Sequence, residues 1–248
     1  MWQYLSNVFS YNLKGSELGI TNDLIFKIVN FYGGRNSNCE VYAFNDQVYE
    51  NKRGADIDLF IEDNKTGNYY FYMLQSKIMN HRGKYLEIKP WSPRAQYYKL
   101  IRNAKIENAL PLYLFYNGQT SKIRLNISNF GLSIVNATYI RDIVNFQRIK
   151  KINQSINYDR LAFCMSPLHI LFCKPTSDFV SQGTINRNDI YLNYPYRNIS
   201  SLSKEDYYYT KEYNKKNQTN RDILDTIKNR HLAPFRIIIN NHKILNKI

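Results

Sequence analysis

Two adjacent segments between residues 53 and 78 constrain the fold more than any other part of the chain. Each segment alternates side chains in the manner of a β-strand: Ile57, Leu59 and Ile61 lie on one face of the first. Between the two segments the chain reads Asp-Asn-Lys-Thr-Gly-Asn, a composition that favours a turn. The segments therefore predict a β-hairpin, and the rest of the chain is expected to build a sheet around it.

The same alternation predicts that chemically useful side chains gather at one end of the hairpin. Asp56 and Asp58 share a face of the first strand, and Gln75 and Lys77 share a face of the second. Magnesium prefers oxygen ligands, usually one or two carboxylates together with waters and a substrate phosphate. A lysine beside such a site can stabilise negative charge that develops during a reaction. The pattern favours a divalent metal site, and the alternative is a structural ion pair between Asp58 and Lys77 on a solvated face.

Composition limits the class of protein and its partners. The 248 residues can bury a substantial core as one large domain or two small ones, and 44% of them are hydrophobic. The formal net charge of +14 favours a polyanionic partner, nucleic acid first and an anionic membrane surface second. The three cysteines are too few for a disulfide framework, which predicts a cytoplasmic protein. We also expect no membrane span, because no segment approaches the ~20 apolar residues that one requires.

Helical patterns flank the hairpin on both sides in the sequence. The first covers Glu17–Tyr32, with Thr21 or Asn22 as its cap and an apolar stripe of Leu24, Ile25, Ile28 and Val29. Glu17 then lies just ahead of the cap, where it can complement the helix dipole or join the site. Residues 39–49 predict a strand, residues 93–108 a second helix, and residues 111–116 a buried strand. The predicted order is helix, strand, strand, strand, helix, strand.

Basic and polar residues after the hairpin are candidates for contacts with phosphates. They lie in the loop that follows Lys77 and along the second predicted helix, although a solvated helix face explains the same charges. The candidates are Arg82, Lys84, Arg94, Gln96, Lys99 and Arg102.

The order of elements, together with Asp-Ile-Asp in one strand and Gln-Ser-Lys in the next, resembles the PD-(D/E)XK restriction-endonuclease-like superfamily. The resemblance is to the variant in which glutamine replaces the middle acid, as in Mrr-type enzymes, and to an uncharacterised bacterial family within it. The matching stretches are residues 16–23, 54–58, 75–77 and 111–117, with Gln96 and two later segments at 164–173 and 232–235. The resemblance implies an α/β fold with a mixed central sheet flanked by helices and a C-terminal decoration.

The resemblance also assigns roles to residues. It implies that Asp58 or Asp56 and Gln75 hold Mg²⁺ or Mn²⁺, that Lys77 is the catalytic lysine, and that Glu17 is the acid of the first helix. Glu50 is a rival for that last role. The implied activity is metal-dependent hydrolysis of DNA, in bacterial defence against foreign DNA. The alternatives are a nucleic-acid-binding protein with an inactive nuclease fold, and an effector that acts on RNA or needs a partner protein; a homodimer is also open.

The second half of the chain is less informative. We expect a nuclease-like core over residues 1–120 and an extension over residues 121–248 that packs on it as part of the same domain. Cys164, His169 and Cys173 allow a zinc site, but their apolar surroundings favour packed core cysteines. Residues 186–217 read as an irregular polar stretch in which tyrosines and lysines alternate. Residues 222–229 read as a helix, and the chain closes with a strand or helix that begins at Phe235.

Overall fold

The computed structural model describes residues 16–32, 39–43, 53–63, 65–88, 96–118, 131–173, 184–185, 197–198 and 235–240. Within these ranges the helices are α1 Glu17–Tyr32, α2 Gln96–Ile106, α3 Ala137–Ile149, α4 Tyr158–Leu161 and α5 Ile170–Cys173. The strands are β1 Cys39–Ala43, β2 Ile57–Glu62, β3 Tyr69–Ile78, β4 Lys84–Tyr85, β5 Leu110–Asn117, β6 Gly131–Asn136, β7 Ile156–Asn157, β8 Ser166–Pro167, β9 Thr184–Ile185, β10 Arg197–Asn198 and β11 Phe235–Ile239. Glu50, Arg94, most of the 186–217 stretch and the helix expected at 222–229 lie outside the described residues.

The predicted hairpin is confirmed as the centre of the sheet. β2 and β3 pair antiparallel from Ile57 opposite Leu74 to Glu62 opposite Tyr69. Asp63 closes the turn, since its backbone N–H donates to the carbonyl of Asn68 at 2.7 Å. Asp63 also accepts a hydrogen bond from the hydroxyl of Thr66 through its carboxylate, so the turn residues are bonded to one another.

The described strands form one mixed sheet in the order β10-β1-β11-β2-β3-β5-β6-β8, with β9 beside β3. β4 and β7 pair separately. Neighbours β2 and β11 run parallel, as do β3 and β5, while the other pairs run antiparallel. The predicted mixed α/β architecture with helices around a central sheet is therefore confirmed. Among the described residues, the order from α1 to β5 differs from the prediction by one element, the two-residue strand β4 between β3 and α2.

Helices cover both faces of this sheet. The inner residues of α1, among them Ile20 and Ile25, pack on Ile57, Leu59, Leu74 and Leu114. On the opposite face, residues of α2 and α3 such as Leu100 and Val144 pack on Phe60, Phe71, Met73 and Phe115. The period of two along β2 and β3 supplies one set of apolar side chains to each layer, which is why both faces of the hairpin are buried.

The last of the described strands lies within the sheet and not at its edge. β11 runs parallel to β2 and antiparallel to β1, so this segment is part of the central sheet rather than a decoration on it. Ile237 and Ile239 join the core on the α1 face, and Ile238 joins the core on the other face. An apolar run that is buried on both sides fits a central strand better than an edge strand.

The cap of α1 differs from the prediction. The helix begins at Glu17, and the hydroxyl of Ser16 accepts a hydrogen bond from the backbone N–H of Gly19 at 3.2 Å. Thr21 lies inside the helix, where its hydroxyl donates to the carbonyl of Glu17. Glu17 therefore stands in the first helical turn instead of ahead of the cap.

Candidate active site

Asp56 is held at the point where β2 begins. Its backbone N–H donates to the carbonyl of Leu74, and its carbonyl accepts from the backbone N–H of Phe235. The carboxylate oxygen Oδ2 accepts from the backbone N–H of Ser76 at 2.6 Å and from Gln75 Nε2 at 2.8 Å. β3 extends beyond Leu74, the last of its residues that pairs with β2. The Asp56 carboxylate therefore accepts the hydrogen bond of the Ser76 N–H, which the backbone of β2 does not reach.

Lys77 lies two residues beyond Gln75 in β3 and is 2% exposed. Its ammonium nitrogen Nζ contacts Glu17 Oε1 at 3.0 Å and Glu87 Oε2 at 2.7 Å. A buried ammonium requires such partners, because an unpaired charge away from water is costly. Of the residues expected to form the site, four therefore lie together: Glu17, Asp56, Gln75 and Lys77.

A chain of hydroxyl groups fixes Glu17 over the sheet. The phenol of Tyr116 in β5 lies 2.8 Å from the hydroxyl of Thr21 in α1 and 3.2 Å from the hydroxyl of Ser76 in β3. Thr21 in turn donates to the carbonyl of Glu17. These contacts hold the first turns of α1 against the part of the sheet that contains Lys77.

Glu87 is a member of the site that the sequence reasoning did not find. It lies in the segment after β4, between Tyr85 and Ile88, both of which are buried. The phenol of Tyr85 donates to Asn117 Oδ1 at the end of β5 at 2.7 Å, which fixes this segment beside the sheet. Glu87 itself is 66% exposed, so nothing in its sequence surroundings distinguished it from an ordinary surface acid.

The electrostatics of the cluster are dominated by carboxylates. Burial raises the pKa of Glu17 to about 7, opposed by the nearby Lys77 and reinforced by Asp56 and Glu87. Burial alone would lower the pKa of Lys77, but Glu17, Asp56 and Glu87 together outweigh it and raise that pKa. Three carboxyl groups thus act on one ammonium, and when all are ionised the cluster has an excess of two negative charges.

Asp58 lies in a different network. Its carboxylate accepts three hydrogen bonds from the Arg53 guanidinium at 2.7 to 3.0 Å, and Arg236 Nη2 of β11 lies 3.6 Å away. Arg53 also binds Glu107 at 2.6 Å, beyond the end of α2. The expectation that both aspartates meet Gln75 and Lys77 therefore holds for Asp56 and fails for Asp58. The alternative ion pair between Asp58 and Lys77 is also wrong, since Asp58 is buried against arginine.

The donor set fits a hard divalent cation only in part. Among the described residues, no group of three or more His, Cys, Asp or Glu side chains is arranged to hold a metal ion. The amide nitrogen of Gln75, however, lies between two oxygens, Asp56 Oδ2 at 2.8 Å and the carbonyl of Ser76 at 3.4 Å. Rotation of that amide by half a turn puts Oε1 in its place and gives three oxygens of the kind that Mg²⁺ accepts alongside waters.

The basic candidates divide between a turn and a helix. Arg82 lies in the exposed turn before β4, and the exposed Lys84 is the first residue of β4. Asn80 Oδ1 accepts hydrogen bonds from both of their backbone N–H groups. Gln96, Lys99 and Arg102 lie along α2. The first turn of α2 contacts Gly54, two residues ahead of Asp56, so this helix begins beside the site.

Of the two cysteines considered for a zinc site, Cys164 agrees with the packing interpretation, since its side chain packs against the core. Cys39 is buried in the core under α1, and burial raises the pKa of its thiol to about 12. Cys164 is partly buried and donates to the carbonyl of Leu161. His169, the third potential ligand, is exposed.

The fold and the site together define a mixed α/β protein with a buried lysine at the centre of a carboxylate cluster. The chain belongs to a family of unknown function, DUF6615, whose model matches residues 1–243. Comparisons with curated proteins and with solved structures found no match. Among the described helices, none is long and apolar enough to cross a membrane.

Proposed function

We propose that this protein is a metal-dependent nuclease that hydrolyses phosphodiester bonds in DNA, on a restriction-endonuclease-like core. The observation that carries the proposal is the convergence of Glu17, Asp56, Glu87 and Gln75 around Lys77 at one end of the central hairpin. An ion pair that serves stability alone needs one partner for one lysine. Here two carboxylates contact one ammonium and a third, Asp56, is near enough to help raise its pKa, which is a charge balance suited to a divalent cation.

In this proposal Asp56, Gln75 and the carbonyl of Ser76 hold the metal, Mg²⁺ or Mn²⁺. When bound, the metal polarises the scissile phosphate and lowers the pKa of a coordinated water. Asp58 is not among the ligands, because both of its oxygens are bonded to Arg53.

The protein's own groups then have separate tasks. Lys77 directs its ammonium toward the attacking water or the developing phosphorane charge, and Glu17 and Glu87 hold that ammonium in place. Glu17, with a pKa of about 7, can also accept or release a proton near neutral pH. The basic residues of α2 and of the Arg82–Lys84 turn supply affinity for phosphates that does not depend on sequence.

Cleavage assays test the proposal directly. Supercoiled plasmid, single-stranded DNA and RNA are incubated with Mg²⁺ or Mn²⁺, using the wild type, Lys77→Met and Lys65→Met. Lys65 is an exposed lysine in the hairpin turn, so its replacement removes the same charge away from the cluster. We expect metal-dependent cleavage by the wild type and by Lys65→Met, and none by Lys77→Met. Circular dichroism of each variant confirms that the fold persists.

Two results contradict the proposal. Equal cleavage by the wild type and Lys77→Met means that the cluster is not the active site. No cleavage of any substrate, with binding to DNA that falls as salt rises, supports instead a binding protein on an inactive nuclease fold.

A further inference from the structure

The two helices that cover one face of the sheet meet at the surface along a line of polar and basic residues, which are exposed on α2 and half-buried on α3. Tyr98, Arg102 and Lys105 recur at intervals of four and three along α2 and are all exposed. Arg141, Asn145 and Arg148 recur in the same way along α3, which packs against α2. We refer to these six residues as the α2–α3 seam.

Tyr98 is fixed at the seam by contacts from α3. Its hydroxyl donates to Asn145 Oδ1 at 3.4 Å and accepts from Arg148 Nη1 at 3.3 Å. The guanidinium carbon of Arg148 lies 5.9 Å from the centre of the Tyr98 ring, within the range of a cation–π contact. Tyr98 nevertheless remains 44% exposed. The structure thus presents an aromatic ring whose orientation is set before anything binds to it.

The seam is strongly basic. Arg102, Lys105, Arg141 and Arg148 provide four positive charges. One of them is paired with an acid, since Asp142 Oδ1 lies 2.9 Å from Arg141 Nε. Lys150 and Lys151 continue the positive charge immediately after α3. A surface with this charge is complementary to a chain of phosphates.

The seam also begins beside the candidate active site. A Cβ atom placed on Gly54 would lie 2.9 Å from the backbone nitrogen of Leu100 and 3.0 Å from the carbonyl of Gln96. The first turn of α2, which includes Tyr98, is therefore packed against the segment that leads into Asp56. A ligand bound along the seam reaches the same end of the sheet.

We infer that the α2–α3 seam binds single-stranded nucleic acid, with a base stacked on Tyr98 and phosphates on the neighbouring cations. This inference rests on the proposed function and specifies its substrate class. A fixed, half-exposed ring is useful to a strand whose bases are free to stack, whereas the bases of a duplex are already stacked on one another. The cations alone would serve either form, so it is Tyr98 that selects the single strand.

Binding measurements without catalysis test the inference. Fluorescence anisotropy is recorded with a labelled single strand of about 16 nucleotides, and with the matching duplex, in EDTA so that no metal-dependent cleavage occurs. The proteins are the wild type, Tyr98→Ala, Tyr98→Phe and Tyr139→Ala. Tyr139 is the matched control, because it is 49% exposed on α3 but outside the seam.

We expect tighter binding of the single strand than of the duplex, and about tenfold weaker binding by Tyr98→Ala. Tyr98→Phe keeps the ring but loses the hydroxyl contacts that orient it, so its affinity should lie between those of the wild type and Tyr98→Ala. Tyr139→Ala should stay within about threefold of the wild type. Equal affinity of Tyr98→Ala and wild type, or a preference for duplex that Tyr98→Ala leaves unchanged, overturns the inference. Binding to phosphatidylserine vesicles but not to the oligonucleotide overturns it in favour of a membrane surface.

This experiment separates the inference from the proposed function. If the protein binds single strands through Tyr98 but cleaves nothing, the inference about the seam is supported and the proposed nuclease activity is rejected. If cleavage depends on Lys77 but binding is unaffected by Tyr98→Ala, the proposed nuclease activity is supported and the inference about the seam is rejected.

Discussion

Arg53 and Asp58 form an ion pair that is almost completely withdrawn from water, with the guanidinium Nη2 2.7 Å from Oδ2 and exposures of 1% and 0%. The pair links the segment before β2 to β2 itself. Through Glu107 and the bond from Asn103 to the carbonyl of Arg53, it also connects this segment to α2. Asp58 therefore has a structural role: it helps to hold in place the segment that contains Asp56.

Replacing Asp58 with Asn should destabilise the protein by about 3–5 kcal/mol, because the buried Arg53 loses its buried carboxylate partner while the half-exposed Glu107 remains. Urea denaturation followed by circular dichroism measures the change. Asp142→Asn is the control, since its ion pair with Arg141 is exposed and should be worth less than about 1 kcal/mol. Similar effects of the two replacements would contradict a structural role for the buried pair.

Glu17 should make the free energy of unfolding depend on pH. Its pKa is about 7 in the folded protein against an ordinary value of 4.5, so the folded state binds this proton more tightly than the unfolded state. The stability that it contributes is complete below pH 4.5 and is lost as the pH rises to about 7. Denaturation of wild type and Glu17→Gln across this range should show the wild type losing stability relative to the variant. A constant difference between the two curves would contradict the raised pKa.

Tyr116→Phe should lower both stability and cleavage. It removes the phenol that joins Thr21 and Ser76, and should cost about 1–3 kcal/mol because two buried hydroxyls lose a partner. Since Glu17 loses its support, we expect kcat to fall while KM changes little. Tyr72→Phe is the matched control, because the buried Tyr72 hydroxyl finds no hydrogen-bond partner in the described part of the chain. A loss of stability as large in the control would argue against the hydroxyl chain.

Gly54→Ala should disturb the approach of α2 to the site. Gly54 has a φ of +76°, and the added Cβ would lie 2.9 Å from the backbone nitrogen of Leu100. Gly67→Ala is the matched control, with a φ of +69° but nothing within 4 Å of the added atom. Both variants bear about 1–3 kcal/mol of backbone strain, and Gly54→Ala should lose measurably more in urea denaturation. Equal losses of stability in the two variants would mean that α2 shifts to make room for the added methyl group without a measurable loss of stability.

Glu87→Gln should change the metal requirement more than the stability. Glu87 is 66% exposed, so its ion pair with Lys77 should contribute less than about 1 kcal/mol to folding. Loss of one of the three carboxylates should raise the Mg²⁺ concentration for half-maximal cleavage about fivefold, the equivalent of about 1 kcal/mol. A metal titration of cleavage by the wild type and the variant measures this. An unchanged midpoint would place Glu87 outside the metal's electrostatic environment.

Local pattern was enough to predict the framework of the site. The strands around the 63–68 turn, the helix at Glu17–Tyr32 and the strand that follows α2 all came from periodicity and turn composition, and all are present. The family resemblance predicted that Glu17, Gln75 and Lys77 lie together. For Gln75 and Lys77, the alternation of side chains along the strand predicted the same.

Tertiary structure alone decided which acids surround Lys77. By itself, the sequence determined that Asp58 belongs to the first strand of the hairpin, that Asp56 lies at its start, and that Gln75 and Lys77 share a face of the next strand. It did not determine that Arg53 and Arg236 would bind Asp58, because one of these arginines arrives on a strand from the far end of the chain. Nor did it identify Glu87, or place β11 between β1 and β2. The physical reason is that strand period fixes the side of a sheet on which a residue lies, whereas its partners depend on segments that only folding brings together.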